Sequence, residues 1–444
     1  MNYANISGSF DTLLNNLRPE FARILDRALA EQEISADEGA LLFSASGPEL
    51  FALTLVADEL RRRAAGDVVT YVVNRNINFT NVCIKRCGFC AFSRTHKDTE
   101  GYFLPDSEIL RRVREAVAMG VSEVCIQAGL PPKMDGDMYP NLIRKIKAEF
   151  PHLHIHGFSP EEILYGSVRS RCSIEDFLQK MKDAGVNSLP GTSAEILDDA
   201  VRHKIAPGRI SVENWVRVIK SAHAIGIPTT ATIMYGHIET PQHRAAHLAL
   251  IRDIQKETGG FTEFVPLGLI YQEAPMFHEG SVDGVRAGAT GAEVVKMHAI
   301  SRIMLYPHIR NIQASWVKEG MKMCQWLLNS GANDMGGTLI NESISTSAGA
   351  SEGQLVPPGE MRFWIRDIGR IPAERATNYT IKRMFDMDPS HDGSPEPLDI
   401  AAAEGPSRFG SYFELIADDR FKFNVHYQAE KYVAAPGLRT LDII

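Results

Sequence analysis

Three cysteines within eight residues are the part of this sequence best equipped for chemistry. The run Asn81-Val82-Cys83-Ile84-Lys85-Arg86-Cys87-Gly88-Phe89-Cys90-Ala91-Phe92 spaces them as C-x3-C-x2-C. Thiolate sulfur is the soft ligand that iron–sulfur clusters require. Three thiolates this close can bind three corners of a cube and leave the fourth iron open to a chelating cofactor or substrate. Lys85 and Arg86 would offset the cluster's charge and favour the thiolate form. Other readings of the run stay open: a structural zinc site completed by His96, a ferredoxin-type carrier, or buried cysteines clustered by chance. The other cysteines, Cys125, Cys172 and Cys324, are scattered, and six in 444 residues are too few for a disulfide scaffold.

Such groups need a frame to hold them. The chain opens with helices, marked by an apolar stripe of Leu13, Leu14, Leu17, Phe21, Ile24, Leu25 and Leu29 and a second of Leu50, Leu53, Val56 and Leu60. Short apolar stretches then alternate with longer amphipathic ones. They predict eight strands, near 70–78, 122–128, 153–158, 186–190, 228–235, 262–269, 309–315 and 332–338. Helices are expected between them, among others over 106–119, 139–149, 211–225, 240–257, 291–305 and 316–329, with Asp106 and Ser211 as caps. Eight alternating units predict an α/β fold, a (β/α)8 TIM-type barrel, with a partial six-stranded barrel as the alternative. The expected division is an N-terminal helical segment over 1–69, the barrel over 70–385, and a C-terminal extension over 386–444.

Chemistry in such barrels sits where strands run into loops at their carboxyl ends. The cysteine run follows the first strand. Gln127-Ala128-Gly129 follows the second, His156 to Glu162 the third, Gly191 to Glu195 the fourth, and Tyr235 to Glu239 the fifth. The seventh and eighth are expected to end in Gln313 to Trp316 and Asn333 to Thr338. A rival reading starts from histidines: His154 and His156 share a strand face, and His243 and His247 lie one helical turn apart, the latter pair expected on an outer face. A zinc-dependent hydrolase barrel can begin from such an H-x-H strand, but it leaves the cysteine run unexplained. The net charge of −8 argues against a nucleic-acid partner. No apolar run approaches the ~20 residues that span a bilayer, and the N-terminus lacks a signal-peptide pattern, so a cytoplasmic location is expected.

The cysteine spacing after the first barrel strand, with Phe89 just before the last cysteine, resembles the radical S-adenosylmethionine (SAM) superfamily. The resemblance implies a [4Fe–4S] cluster on Cys83, Cys87 and Cys90, with SAM chelating its open iron through amino and carboxylate groups. Reduction would cleave SAM to a 5′-deoxyadenosyl radical that abstracts hydrogen. It further implies Phe89 beside the adenine, Gln127 and Gly129 near the SAM amino group, Glu195 on the ribose and Arg209 as a partner for the SAM carboxylate. Ala128 departs from the glycine usual in the family at that position.

A closer resemblance covers roughly residues 49–384 and rests on longer strings. These are Tyr71 to Cys83, Phe158-Ser159-Pro160-Glu161-Glu162-Ile163, Thr230 to Thr240, Gln313-Ala314-Ser315-Trp316-Val317-Lys318 and Gly331 to Thr338. The first resembles the group containing the deazaflavin and futalosine-pathway enzymes, and the other four resemble one member of it, the tyrosine-dependent subunits of FO synthase, which serve coenzyme F(420) biosynthesis. That family would cleave L-tyrosine at Cα–Cβ and add the 4-hydroxybenzyl group to 5-amino-6-(D-ribitylamino)uracil, leaving 2-iminoacetate. A second radical SAM enzyme would complete FO, and flavodoxin or ferredoxin would supply the electron. The runner-up is an aminofutalosine synthase-like enzyme of menaquinone biosynthesis. For the substrates, Asn78, Ser159, Asn333, Thr338 and Asn341 offer neutral donors and acceptors. His237, Glu239 and Asp334 are the candidate catalytic groups for orienting an amine or moving a proton.

Overall fold

The computed structural model describes residues 15–423, so the predicted stripe residues Leu13 and Leu14 and the end of the C-terminal extension lie outside the described residues. Nine named strands appear: β1 (Val68–Val72), β2 (Asn74–Ile77), β3 (Glu123–Ile126), β4 (His154–His156), β5 (Thr229–Tyr235), β6 (Phe261–Gly268), β7 (Asp334–Gly337), β8 (Ile371–Arg375) and β9 (Ile381–Met384). Continuous ladders make three sheets, in the orders β7-β1-β8-β9, β2-β3-β4 and β5-β6. Single parallel bridges join these pieces: His156 to Ser188, Leu189 to Thr229, Phe264 to Ile312, Gln313 to Asp334, and Arg75 to Ile340. Followed round, the path runs from β1 and β2 through β3, β4, 188–189, β5, β6, 312–313 and β7 back to β1. Eight parallel segments therefore encircle one core, although the fourth and seventh are reduced to bridges.

Those two segments are short for local reasons. Pro190 cannot donate to a ladder, and the Asn187 side chain takes the Ile155 N–H at 2.9 Å where a strand carbonyl would otherwise serve. In the seventh, the Asn333 side chain accepts from Ile312 N at 3.0 Å. Helices fill the intervals near the expected boundaries, for example Met138–Glu149, Val212–Ala224, Pro241–Thr258 and Gly291–Leu305. Ser211 caps its helix by accepting from Asn214 N. Asp106 does not: Pro105 holds the cap position and Asp106 begins the helix without a side-chain cap bond. The expected helix 316–329 is broken at Gly320 (φ +78°) into Trp316–Glu319 and Met321–Leu328. The N-terminal helices pack on the barrel's outer helices, Ala36–Leu42 against Pro241–Thr258 and Pro48–Ala65 against Gly291–Leu305.

β8 and β9, which the sequence does not predict, extend the sheet from β1 and bring Arg375, Thr377 and Tyr379 to the amino-terminal end of the barrel. Arg375 grips Asp334, the first residue of β7, with Nε at 2.5 Å and Nη2 at 3.0 Å. It also lies 3.5 Å from Glu263, which accepts from the Tyr379 hydroxyl. Thr377 and Asn74 donate to Glu123, the first residue of β3, at 2.5 and 2.9 Å. His154 and His156 both meet the Ser188 hydroxyl at 2.7 Å. This satisfied polar layer closes the end of the barrel opposite its mouth. His247, expected on an outer face, is buried instead: Nδ1 accepts from Leu197 N at 3.1 Å and Nε2 donates to Thr232 O at 3.0 Å. Among the described residues no helix is long and apolar enough to cross a membrane.

Candidate functional site

At the carboxyl ends of the strands one cavity collects Cys83, Cys87 and Cys90 together with Phe89, Gln127, Gly129, Ser159, Glu195 and Arg209. The cysteine loop leaves β2 and is pinned on several sides. Ile84 N donates to Leu130 O at 2.8 Å, Gly88 N to Ile205 O at 2.8 Å, and Met276 N to Gly88 O at 2.7 Å. A side chain at Gly129 would stand 2.4 Å from Val82 O. Only glycine lets the end of β3 approach the peptide before Cys83 so closely.

Arg209 ties the cluster loop to the fourth strand. Its Nη1 lies 3.0 Å from Cys87 Sγ, its Nη2 3.1 Å from Glu195 Oε1, and its guanidinium 5.5 Å from the Phe89 ring centroid. Glu195 is also paired with Arg202 at 3.2 Å. Burial pushes the Cys87 thiol up to about 11 and raises Cys83 and Cys90 as well, while the Arg209 charge pulls all three down. Metal binding removes those protons, since thiolate is the ligating form. Of the two cations in the loop, Lys85 lines the cavity, 3.5 Å from Glu161. Arg86 is exposed, and Arg209 takes the place near the sulfurs that the sequence assigned to it.

These residues fit an iron–sulfur cluster and a polar ligand beside it. Three thiols border one cavity, and each would bind a different iron of a cube. Among the described residues no group of His, Cys, Asp and Glu gathers as the ligands of a single ion would. Exposed His96, the candidate fourth zinc ligand, does not line the cavity. The Ser193 hydroxyl at the cavity wall is buried without a hydrogen-bond partner, a vacancy that a bound polar molecule would fill.

The remaining predicted residues divide between the cavity and the structure around it. Gln127 lines the cavity and accepts from the Thr192 hydroxyl at 2.7 Å, whereas Asn78 stands behind it, donating to Gln127 O at 2.7 Å. Ser159 lines the cavity but is also the cap of helix Pro160–Arg169, in a capping box with Glu162. His237 and Glu239 do not line it. Gly236 (φ +92°) turns the chain off β5, and Glu239 is consumed by Gly236 N, His237 N and Arg244 Nε at 2.7–2.8 Å. Asp334 lies in the polar layer at the opposite end. Asn333 there accepts from Arg302 at 2.7 Å, and Thr338 exchanges bonds with the Asn74 backbone at 3.0 Å. Asn341 accepts from Arg75 and donates to Phe409 O, outside the cavity. All seven residues outside the lining are held by structural partners.

The cavity also holds groups the sequence did not single out. Glu162 takes the N–H of Ala128 at 3.0 Å and of Ser159 at 2.8 Å, and burial pushes its carboxyl up to about 7. It is the capping-box partner of Ser159, three residues before it, a local pattern that says nothing of the carboxylate's face toward the cavity. Thr192, Thr232, Lys318 and the apolar residues Met234, Leu267, Leu269, Ile270, Ile344 and Ala348 also line it.

A three-thiol loop after the first strand of such a barrel, with a polar ligand pocket beside it, defines a radical SAM enzyme. The radical SAM superfamily matches residues 77–251, and the CofH/MqnC C-terminal region matches 258–387. The chain is 50% identical over 364 residues to the 5-amino-6-(D-ribitylamino)uracil–L-tyrosine 4-hydroxyphenyl transferase of Methanothermobacter thermautotrophicus, covering 82% of this chain and 98% of the relative. It is 49% identical to the enzyme of the same name from Methanocaldococcus jannaschii, covering 79% of this chain and 98% of that one. Among solved structures it superposes on the hydrogenase maturase HydG of Carboxydothermus hydrogenoformans with a TM-score of 0.62 at 15% identity, covering 85% of this chain and 84% of the other. The chain belongs to the family of 5-amino-6-(D-ribitylamino)uracil–L-tyrosine 4-hydroxyphenyl transferases, and its cofactors are a [4Fe–4S] cluster and SAM. That membership replaces the zinc-hydrolase reading of the histidines.

Proposed function

We propose that this enzyme cleaves L-tyrosine at Cα–Cβ and joins the 4-hydroxybenzyl group to 5-amino-6-(D-ribitylamino)uracil, the step that leads to FO and coenzyme F(420). The observation that carries this is 50% identity sustained over 98% of a relative bearing that name. When bound and reduced, the cluster and SAM supply the radical that removes a hydrogen atom from the amino acid.

The chain's own residues orient and shield that chemistry. Cys83, Cys87 and Cys90 hold three irons. Phe89 offers a face to the adenine, Gln127 and Gly129 meet the SAM amino group, and Glu195 accepts from a ribose hydroxyl. Arg209, shared between Glu195 and Cys87, is better placed to steady charge at the cluster than to reach out to the SAM carboxylate. Glu162, near neutrality in its pKa, is suited to hold or release a proton at the cavity wall. The apolar residues opposite keep water from the reacting carbon.

The reaction needs a one-electron reductant, for which flavodoxin or ferredoxin is suited, and the cytoplasm is the compartment that supplies it. A second radical SAM enzyme would close the deazaflavin ring. The FO synthase of Mycobacterium leprae is 44% identical over 346 residues, covering 78% of this chain and 40% of that protein.

The test is anaerobic turnover with SAM, ring-labelled L-tyrosine and the diaminouracil. Deoxyadenosine should form, with the label in a 4-hydroxybenzyl adduct of the uracil. Phenylalanine should replace tyrosine poorly, because a site built around a hydroxyl leaves its partners unpaired without one. No deoxyadenosine from tyrosine, but formation from a chorismate-derived enolpyruvyl ether, would assign the enzyme to menaquinone synthesis instead.

A further inference from the structure

The cavity has two unlike walls. The ends of the second to fourth strands present polar groups that hold one another: Gln127 with Thr192, and Glu195 with Arg209. The wall from the fifth strand onward is mostly apolar, built from Met234, Leu267, Leu269, Ile270, Ile344 and Ala348, and the hydroxyl of its Thr232 is spent on Gly191 O at 2.9 Å. One cation stands in it, Lys318, on the short helix Trp316–Glu319 after the seventh strand. The helix is fixed by Trp316, whose indole donates to Gly337 O at 2.8 Å.

Nothing holds the Lys318 ammonium. Among the described residues it has no hydrogen bond and no ion pair within 4.0 Å, only longer-range interactions with Glu342, Glu319 and Cys90. The two carboxylates are committed elsewhere. Glu342 accepts from Ser345 N at 2.9 Å, and Glu319 from the Tyr235 hydroxyl at 2.9 Å and Gly268 N at 3.2 Å. Burial also raises the pKa of both acids, while it lowers that of Lys318. An ammonium partly withdrawn from water without a close counter-charge is costly, and an anionic ligand group would relieve the cost. Its neighbours are apolar, so the complementary ligand carries one carboxylate beside an apolar body.

We propose that Lys318 anchors the carboxylate of the amino-acid substrate, with the aromatic ring against the apolar wall. The assignment rests on the tyrosine reading above. The carboxylate of SAM is the weaker candidate for this cation, because its expected place is on the open iron beside the second to fourth strands.

The experiment is equilibrium dialysis of labelled L-tyrosine against anaerobic, cluster-loaded enzyme saturated with SAM. Lys318→Met should weaken tyrosine binding about 10- to 100-fold, as loss of a charge-assisted bond does, with iron content and SAM affinity held within about threefold. Lys318→Arg should recover most of the loss. Tyramine, which lacks the carboxylate, should bind wild type correspondingly weakly, and Lys318→Met should no longer distinguish it from tyrosine. Wild type that binds no tyrosine would overturn the tyrosine reading and this proposal together. Wild type that binds tyrosine, with Lys318→Met binding it equally well or losing SAM affinity to the same degree, would overturn this proposal alone.

Discussion

Removing the carboxylate of Asp334 tests whether the polar layer beneath the barrel is structural. Asp334 has no exposed surface and takes two bonds from Arg375, one from the Thr70 hydroxyl and one from Gly336 N at 2.7 Å. In Asp334→Ala, Arg375 keeps Glu263 at 3.5 Å, the Ala376 carbonyl at 3.4 Å and the face of Tyr379, with its guanidinium carbon 3.9 Å from the ring centroid. Breaking a buried pair by deleting one partner costs about 3–5 kcal/mol. With an unfolding entropy near ~2 cal/mol/K per residue, a chain of 444 residues should lose about 3–5 °C in Tm. The assay is anaerobic thermal unfolding of the cluster-loaded variant, with iron content and SAM affinity measured well below the transition. Both should match wild type. Asp334→Ala combined with Arg375→Met should recover part of the loss, because no uncompensated charge then remains. A variant as stable as wild type but unable to turn over would refute the reasoning and return Asp334 to the reacting groups.

Two further outcomes follow from the buried sulfurs and histidines. Alanine at Cys83, Cys87 or Cys90 should each abolish bound iron, while alanine at Cys125, Cys172 or Cys324 should leave it intact; a full complement of iron in Cys87→Ala contradicts the ligand assignment. Burial pushes His247 down to about 3, whereas an unfolded histidine titrates near ~6.5, so the unfolded chain gains a proton that the folded one refuses as pH falls below that value. Stability should therefore drop by about 1.4 kcal/mol between pH 7.5 and 5.5 on this residue's account, and urea unfolding of His247→Gln should lack that part of the slope.

The barrel was legible because its period was. Apolar stretches of strand length separated by amphipathic helices can be read from one sequence, and the strand positions agree with the expected ones to within a few residues. β8 was missed since Ile371-Pro372-Ala373-Glu374-Arg375 carries a proline and two charges, which are usual outside strands and are satisfied here only by tertiary partners. Phe89, Gln127, Gly129, Ser159 and Glu195 were placed at the cavity because their loops start where the strands visibly end. Asn333 and Asp334 were misplaced by the same rule. The polar run looked like the end of a strand, but β7 begins at Asp334, which pairs with Thr70 near the start of the first strand. A few residues of register thus decide whether an aspartate faces substrate or closes the opposite end. His237 and Glu239 do follow a strand end, yet a side chain at Gly236 would stand 2.6 Å from Ala289 N, so the turn there depends on packing that no local pattern records.

The two ends of the barrel use charge in opposite ways, and this separates stability from chemistry. At the closed end Arg375 is matched by Asp334 and Glu263, and Glu123 by Asn74 and Thr377, so every strong group has a fixed partner. At the mouth, burial raises Cys83 and Cys90 against the pull of backbone groups and the charge of Arg209, the Ser193 hydroxyl is unpartnered, and Lys318 has no close counter-ion. Unmatched groups are costly in a folded chain, and the matched layer below offsets that cost without touching the substrate. β2 and β3, four residues each, run from Asn74 and Glu123 in the lower layer to the loops that carry Cys83 and Gln127 at the mouth. A substitution in the lower layer should therefore lower the fraction of folded enzyme and leave the chemistry of each folded molecule unchanged, whereas a substitution at the mouth should do the reverse.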